Sequence, residues 1–109
     1  MSYDIRTIPQ FDKQFKRLVK KHPSFQKDFI EFLPTLREHP TDGVSIGKNC
    51  FKIRIAISSK GKGKSGGARL IANVLVTHNI VYLLAIYDKS EKESLGDNEL
   101  KELLKSVPL

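Results

Sequence analysis

A chain of 109 residues with an ordinary apolar share of 39% has room for one domain around one core, so a single domain over 1–109 is expected. Lysine and arginine outnumber aspartate and glutamate by 19 to 12, giving a formal charge of +7 and a pI near 9.6. That balance points to an acidic partner: a nucleic acid, an anionic membrane or an acidic protein. The lone cysteine, Cys50, excludes an internal disulfide and a cysteine-based metal site. No apolar run nears the roughly 20 residues of a membrane span, and the first residues lack the apolar stretch of a secretory signal. A soluble, cytoplasmic protein with no membrane partner is expected.

Alternation over 3–8, with Tyr3 and Ile5 opposite Asp4 and Arg6, predicts a short strand ended by Pro9. Phe11, Phe15, Leu18 and Val19 then repeat at helical spacing against Lys13, Lys16, Arg17, Lys20 and Lys21. This amphipathic helix closes at His22-Pro23. Ser24 is placed to cap a second helix with the stripe Phe25, Phe29, Phe32, Leu33 and Leu36. Pro34 inside that stripe is expected to kink or shorten it. His39-Pro40 ends the helix, and Thr41-Asp42-Gly43 reads as a turn. Two helices joined tightly form a hairpin that must bury its stripe on a sheet.

Phe51, Ile53, Ile55 and Ile57 alternate with Lys52, Arg54, Ala56 and Ser58, predicting a strand with one core face and one cationic face. A stretch rich in glycine and lysine, 60–67, interrupts the pattern before an apolar strand over 68–77. His78-Asn79 reads as a two-residue connection to a further strand over 80–87. Both strands are apolar on both faces, as central strands under helices are. Asp97 is placed to cap a last helix carrying Leu100, Leu103 and Leu104. The expected fold class is α+β: an N-terminal strand, a two-helix hairpin, an antiparallel three-stranded meander and a C-terminal helix, with the sheet mixed where the first strand joins.

Chemistry concentrates on cations. Lys52 and Arg54 project from one face of their strand about 7 Å apart, which suits successive phosphates; an ordinary solvated face is the competing reading. In Lys60-Gly61-Lys62-Gly63-Lys64-Ser65-Gly66-Gly67 the glycines permit close backbone approach, and Lys60, Lys62 and Lys64 supply charge for a polyanion. Its Gly63-Lys64-Ser65 triplet is not a nucleotide-binding P-loop, because Ser58 stands where that motif needs glycine and a strand follows instead of a helix. Arg69 opens the next strand with a planar donor fork suited to a phosphate. Tyr87-Asp88-Lys89-Ser90-Glu91-Lys92 leaves the last strand with a phenol and two ammonium groups. The three histidines sit at separate turns and share no motif with Asp or Glu, so no metal site, cofactor or serine-type triad is called for. A catalyst restricted to Lys, Arg and Tyr suits RNA cleavage, in which a 2′-hydroxyl attacks the adjacent phosphate and the protein aligns atoms and neutralises charge. A lysine among other cations has its pKa lowered and can act as base there.

Together these segments resemble the RelE/ParE superfamily of toxins from bacterial toxin–antitoxin pairs, in its RelE-like or HigB-like branch. The resemblance runs through the helical hairpin, Phe51-Lys52-Ile53-Arg54-Ile55, Gly63-Lys64-Ser65-Gly66-Gly67-Ala68-Arg69, Val81-Tyr82-Leu83-Leu84 and Ile86-Tyr87-Asp88-Lys89-Ser90-Glu91-Lys92. It implies a metal-independent endoribonuclease that cuts mRNA on the ribosome and leaves a 2′,3′-cyclic phosphate and a 5′-hydroxyl. It also implies a cognate antitoxin that wraps the toxin, with oligomers formed only through it. Carried over by position, Lys52 or Lys92 is the base, Arg69 stabilises charge, Arg54 and Lys89 position substrate, and Tyr87 stacks on a base. The sequence departs from the family pattern in its long 60–67 loop and in Arg54, which stands where well-known members have lysine. Two alternatives stay open: a gyrase poison of the ParE kind, which needs no cationic constellation on the sheet, and an RNA-binding module without turnover.

Overall fold

A computed structural model of the chain describes residues 2–92 and 94–108. The first strand, β1 (Asp4–Thr7), gives way to the helix α1 (Pro9–Lys21), which places Pro9 where a missing N–H leaves no helical bond unmade. The second helix, α2 (Phe25–Glu38), follows after three residues. Phe11 and Phe15 of α1 meet Phe25 and Phe29 of α2, with Phe15 and Phe29 ring centres 4.9 Å apart. The predicted stripes therefore face each other and the sheet.

Two helical expectations need correction. Ser24 precedes α2 in a helical rather than extended conformation, so its hydroxyl makes no cap and is buried without a partner. Pro34 does not shorten α2, which continues to Glu38 with the proline on its exposed side.

The sheet has five strands in the order β1-β5-β4-β3-β2, comprising β2 (Val44–Gly47), β3 (Cys50–Ile55), β4 (Ala68–Leu75) and β5 (Ile80–Asp88) beside β1. β1 pairs with β5 in parallel and every other pair is antiparallel, so the sheet is mixed where expected. The meander has four strands rather than three. β2 carries only one half-buried apolar residue, Ile46, and its hairpin turn uses Lys48 and Asn49 at φ 54° and 60° in place of glycine. Neither feature announces a strand or a turn in the sequence.

The β4–β5 connection is likewise longer than His78-Asn79: a 3-10 turn over Val76–His78 precedes Asn79 in the left-handed conformation. Every residue of β5 is buried, as is every residue of β4 except Leu75. Ile53, Leu70 and Ile86 stand side by side across three strands and lie in the core with Phe11, Phe25, Phe29 and Leu36.

The last helix, α3 (Asp97–Leu104), starts one residue earlier than a cap at Asp97 would place it. Gly96 is the cap residue, and its N–H donates to Glu99 Oε1 at 3.3 Å. Among the described residues no helix is long and apolar enough to cross a membrane.

Candidate nucleic-acid interface

The strand register sets one row of side chains across the sheet. Arg54 of β3 pairs with Arg69 of β4, which pairs with Tyr87 of β5, and directly opposed residues hold their Cβ atoms about 5 Å apart. Lys52 lies two residues along β3 on the same face, opposite Ile71. Lys52 and Arg54, which the alternation placed on one face, are thus brought together with Arg69 and Tyr87. Arg54 is exposed and Lys52 half-buried, and neither side chain makes a hydrogen bond or ion pair among the described residues.

Arg69 departs from expectation. It is only 4% exposed, and its fork is already engaged. Nη1 donates to the carbonyls of Lys64 (3.0 Å) and Ala68 (3.2 Å), and Nη2 donates to that of Ser65 (3.0 Å). The long loop folds a 3-10 turn, Lys64–Gly66, back over the strand and presents its carbonyls to the guanidinium. Arg69 therefore contributes charge from beneath the surface, and Arg54 is the arginine that faces solvent. Burial, and then the Arg54 charge, lower the pKa of Arg69, which still remains a cation at any physiological pH.

Tyr87 is 9% exposed, and its hydroxyl is buried without a hydrogen-bond partner. Burial pushes the phenol pKa up, Arg69 pulls it down and Glu99 pushes it up again. Ser24 Oγ is the other such atom among the described residues.

The remaining predicted residues gather at the adjacent end of the sheet. A cleft of about 320 Å3 is lined by Lys60, Lys62, Ser65, Lys89, Ser90 and Lys92 together with Gly66 and Glu91. Its cations are not equivalent. The Lys62 and Lys89 side chains are exposed and their ammonium groups make no hydrogen bond or ion pair among the described residues, whereas Lys92 pairs with Glu99 of α3. Lys60 turns inward. Its ammonium donates to Asp88 Oδ1 (2.5 Å), the Gly66 carbonyl (3.3 Å) and Ser90 Oγ (3.4 Å), so it is not a free substrate contact. Lys64 is exposed and lies outside the cleft lining; its carbonyl is the group the fold uses.

Sequence reasoning gave Asp88 no role, yet it is the hub of this end. Its carboxylate is 2% exposed and accepts from Lys60, from the Ser90 N–H (3.0 Å) and from Ser90 Oγ (2.9 Å), while His22 Nε2 lies 3.3 Å from Oδ2. Burial acts to raise the carboxyl pKa, but the Lys60 and Ser90 hydrogen bonds outweigh it and hold Asp88 well below the usual carboxylate range. A depressed native pKa stabilises the fold fully above the unfolded value of about 4 and loses that contribution as pH falls below it. The wild-type melting temperature is accordingly expected to drop more steeply from pH 5 to 3 than that of Asp88→Asn, as followed by circular dichroism; parallel curves would deny Asp88 this role. One signal was available in the sequence: a lone carboxylate closing an apolar strand, in a chain whose cations cluster nearby.

Among the described residues no three His, Cys, Asp or Glu side chains are grouped to hold a metal ion.

No family model matches the chain. Its fold is that of RelE. The free E. coli toxin RelE, solved as a double arginine-to-alanine mutant, superposes with a TM-score of 0.63 at 16% identity, over 98% of this chain and 99% of that one. A RelBE toxin–antitoxin complex from Mycobacterium tuberculosis gives 0.61 at 17% identity, over 81% and 99%. The intact E. coli RelBE toxin–antitoxin complex gives 0.50 at 17% identity, over 80% and 96%. At these identities the similarity establishes the fold alone, which is the α+β fold expected from the sequence.

Proposed function

We propose that the protein is a RelE-like toxin that cuts mRNA on the ribosome, in the cytoplasm, and is neutralised by a cognate antitoxin. The observation that carries this reading is the row Arg54–Arg69–Tyr87 with Lys52 beside it: three cations and an unsatisfied phenol on one face of a sheet of the RelE fold. Such a face matches an RNA backbone in charge.

In this mechanism the 2′-oxygen attacks the adjacent phosphorus while the bond to the 5′-oxygen breaks. The products are a 2′,3′-cyclic phosphate and a 5′-hydroxyl. Lys52 takes the proton of the 2′-hydroxyl, and a second donor returns a proton to the departing oxygen. Arg54 binds the phosphate oxygens, Arg69 adds charge from below, and Tyr87 supplies its hydroxyl or its ring. Lys62 and Lys89 contact the flanking backbone. Lys92, held by Glu99, is less suited to serve as base than Lys52.

The test is induced expression in a bacterium with message ends mapped by primer extension, wild type against Arg54→Ala. Discrete cleavage at ribosome-bound codons, lost in the variant, supports the reading. Growth arrest with intact messages replaces it with the gyrase-poison reading, and RNA binding without arrest replaces it with a module lacking turnover.

Tyr87→Phe separates role from packing. It removes only a buried hydroxyl without a partner, so stability is expected to hold or rise by about 1 kcal/mol, while cleavage falls roughly 10-fold or more if the hydroxyl meets substrate. A melting curve and a single-turnover cleavage assay together decide it; undiminished cleavage would leave Tyr87 a core aromatic.

A further inference from the structure

The cleft at the sheet end has two walls with no covalent reason to stay together: the loop 60–67 and the segment 89–92. A loop with four glycines is expected to sample many conformations, and two of its glycines, Gly61 and Gly63, adopt positive φ. Yet it is bound from both sides. Arg69 grips the carbonyls of Lys64 and Ser65 from the open face of the sheet. Lys60 grips the Gly66 carbonyl and runs back to Asp88 at the end of β5. Asp88 in turn caps Ser90, the Lys89 N–H donates to the Gly67 carbonyl at 3.1 Å, and Glu91 N–H returns to the Asp88 carbonyl at 3.0 Å.

The helix hairpin fastens the same segment. His22 reaches the second Asp88 oxygen, and Lys21 and Arg17 pair with Glu91. Each of these contacts ends on Asp88 or within three residues of it.

We propose that the half-buried Lys60–Asp88 pair positions the RNA subsite, fixing the spacing of Lys62 on one wall from Lys89 on the other so that one stretch of phosphate backbone spans the cleft in register with Arg54. Asp88 touches no substrate; it is a positioning residue. The inference rests on the RNA-cleaving reading for its consequence, but the tether itself is independent of that reading.

The two roles of Asp88, charge and tether, push binding and cleavage in opposite directions. Asp88→Asn keeps the shape and the acceptor for Ser90 while freeing Lys60, which adds one positive charge to the cleft. Affinity for a short single-stranded RNA, read by fluorescence anisotropy at low salt, is therefore expected to hold or tighten. Cleavage of ribosome-bound message at saturating complex is expected to fall at least 10-fold. In hydrogen exchange, amides in 61–66 and 89–92 should lose protection together. Leu36→Ala, which hollows the α2 core away from the cleft, supplies a destabilised control that should cleave normally below its melting temperature. Lys60→Met/Asp88→Asn removes the ion pair without leaving a buried charge, which guards against a single variant that fails to fold, and should repeat the loss of cleavage.

Unchanged exchange in the two segments would overturn the tether, and unchanged cleavage in both variants would overturn its consequence for RNA. A wild-type chain that leaves messages intact would instead overturn the nuclease reading, with the exchange comparison still deciding whether Asp88 holds the walls.

Discussion

Arg54→Ala is expected to lower message cleavage by roughly 100- to 1,000-fold, the usual loss when one preorganised donor to a developing charge is removed. Three features single out this residue from a chain with 19 basic side chains. It is exposed on the open face, it sits in register with Arg69 and Tyr87, and its guanidinium has no partner among the described residues. Arg69 cannot substitute, because its donors already hold the loop carbonyls. Stability should barely change, since an exposed side chain without partners contributes within about 0.5 kcal/mol. Arg54→Lys keeps the charge and loses the planar fork, so partial activity is expected. Single-turnover cleavage with purified ribosomes, beside a melting curve, measures both effects. Full cleavage by Arg54→Ala would remove the row from the mechanism.

Gly67→Ala is expected to destabilise the fold by roughly 3 kcal/mol or more, in the range reserved for a steric clash in a packed region. A Cβ on Gly67 would stand 2.2 Å from the Ile55 carbonyl oxygen, 2.9 Å from Ala56 Cα and 3.0 Å from the Ile57 nitrogen. All three are backbone atoms, so no side-chain rotation relieves the clash; the end of β3 must separate from the start of β4. Its φ of −92° is ordinary, so the requirement is for space and not for a left-handed conformation. Because the movement would also carry the Lys64 and Ser65 carbonyls off Arg69, RNA cleavage should fall with it. Urea unfolding of Gly67→Ala against Gly63→Ala tests the distinction. Gly63 (φ 64°) has open space around its Cβ position, so its alanine variant pays only backbone strain of about 1–3 kcal/mol. Equal stability of Gly67→Ala and wild type would show that the strands can part at that point.

Much of this molecule was legible in the sequence, for reasons of period and composition. Helical spacing of Phe11, Phe15, Phe25, Phe29 and Leu36 set the hairpin and its buried side, and continuous apolar runs marked β4 and β5 as central. Alternation along 51–55 put Lys52 and Arg54 on a common face, because strand side chains alternate whatever the neighbouring strands are. The strand β2 was not legible, since four residues with one half-buried apolar side chain carry no periodic signal, and the Lys48-Asn49 turn lacks the glycine that would mark it.

What only the tertiary structure decided is which charges are available. A lysine or arginine reads the same in sequence whether its donors face water or protein. The fold commits Arg69 to loop carbonyls, Lys60 to Asp88 and Lys92 to Glu99, and it leaves Lys52, Arg54, Lys62 and Lys89 without such partners among the described residues. One of those commitments joins residues 28 positions apart, Lys60 and Asp88, through a strand register that no local pattern encodes. Composition fixed the sign of the surface; pairing across the sheet fixed which cations are left to meet an anion.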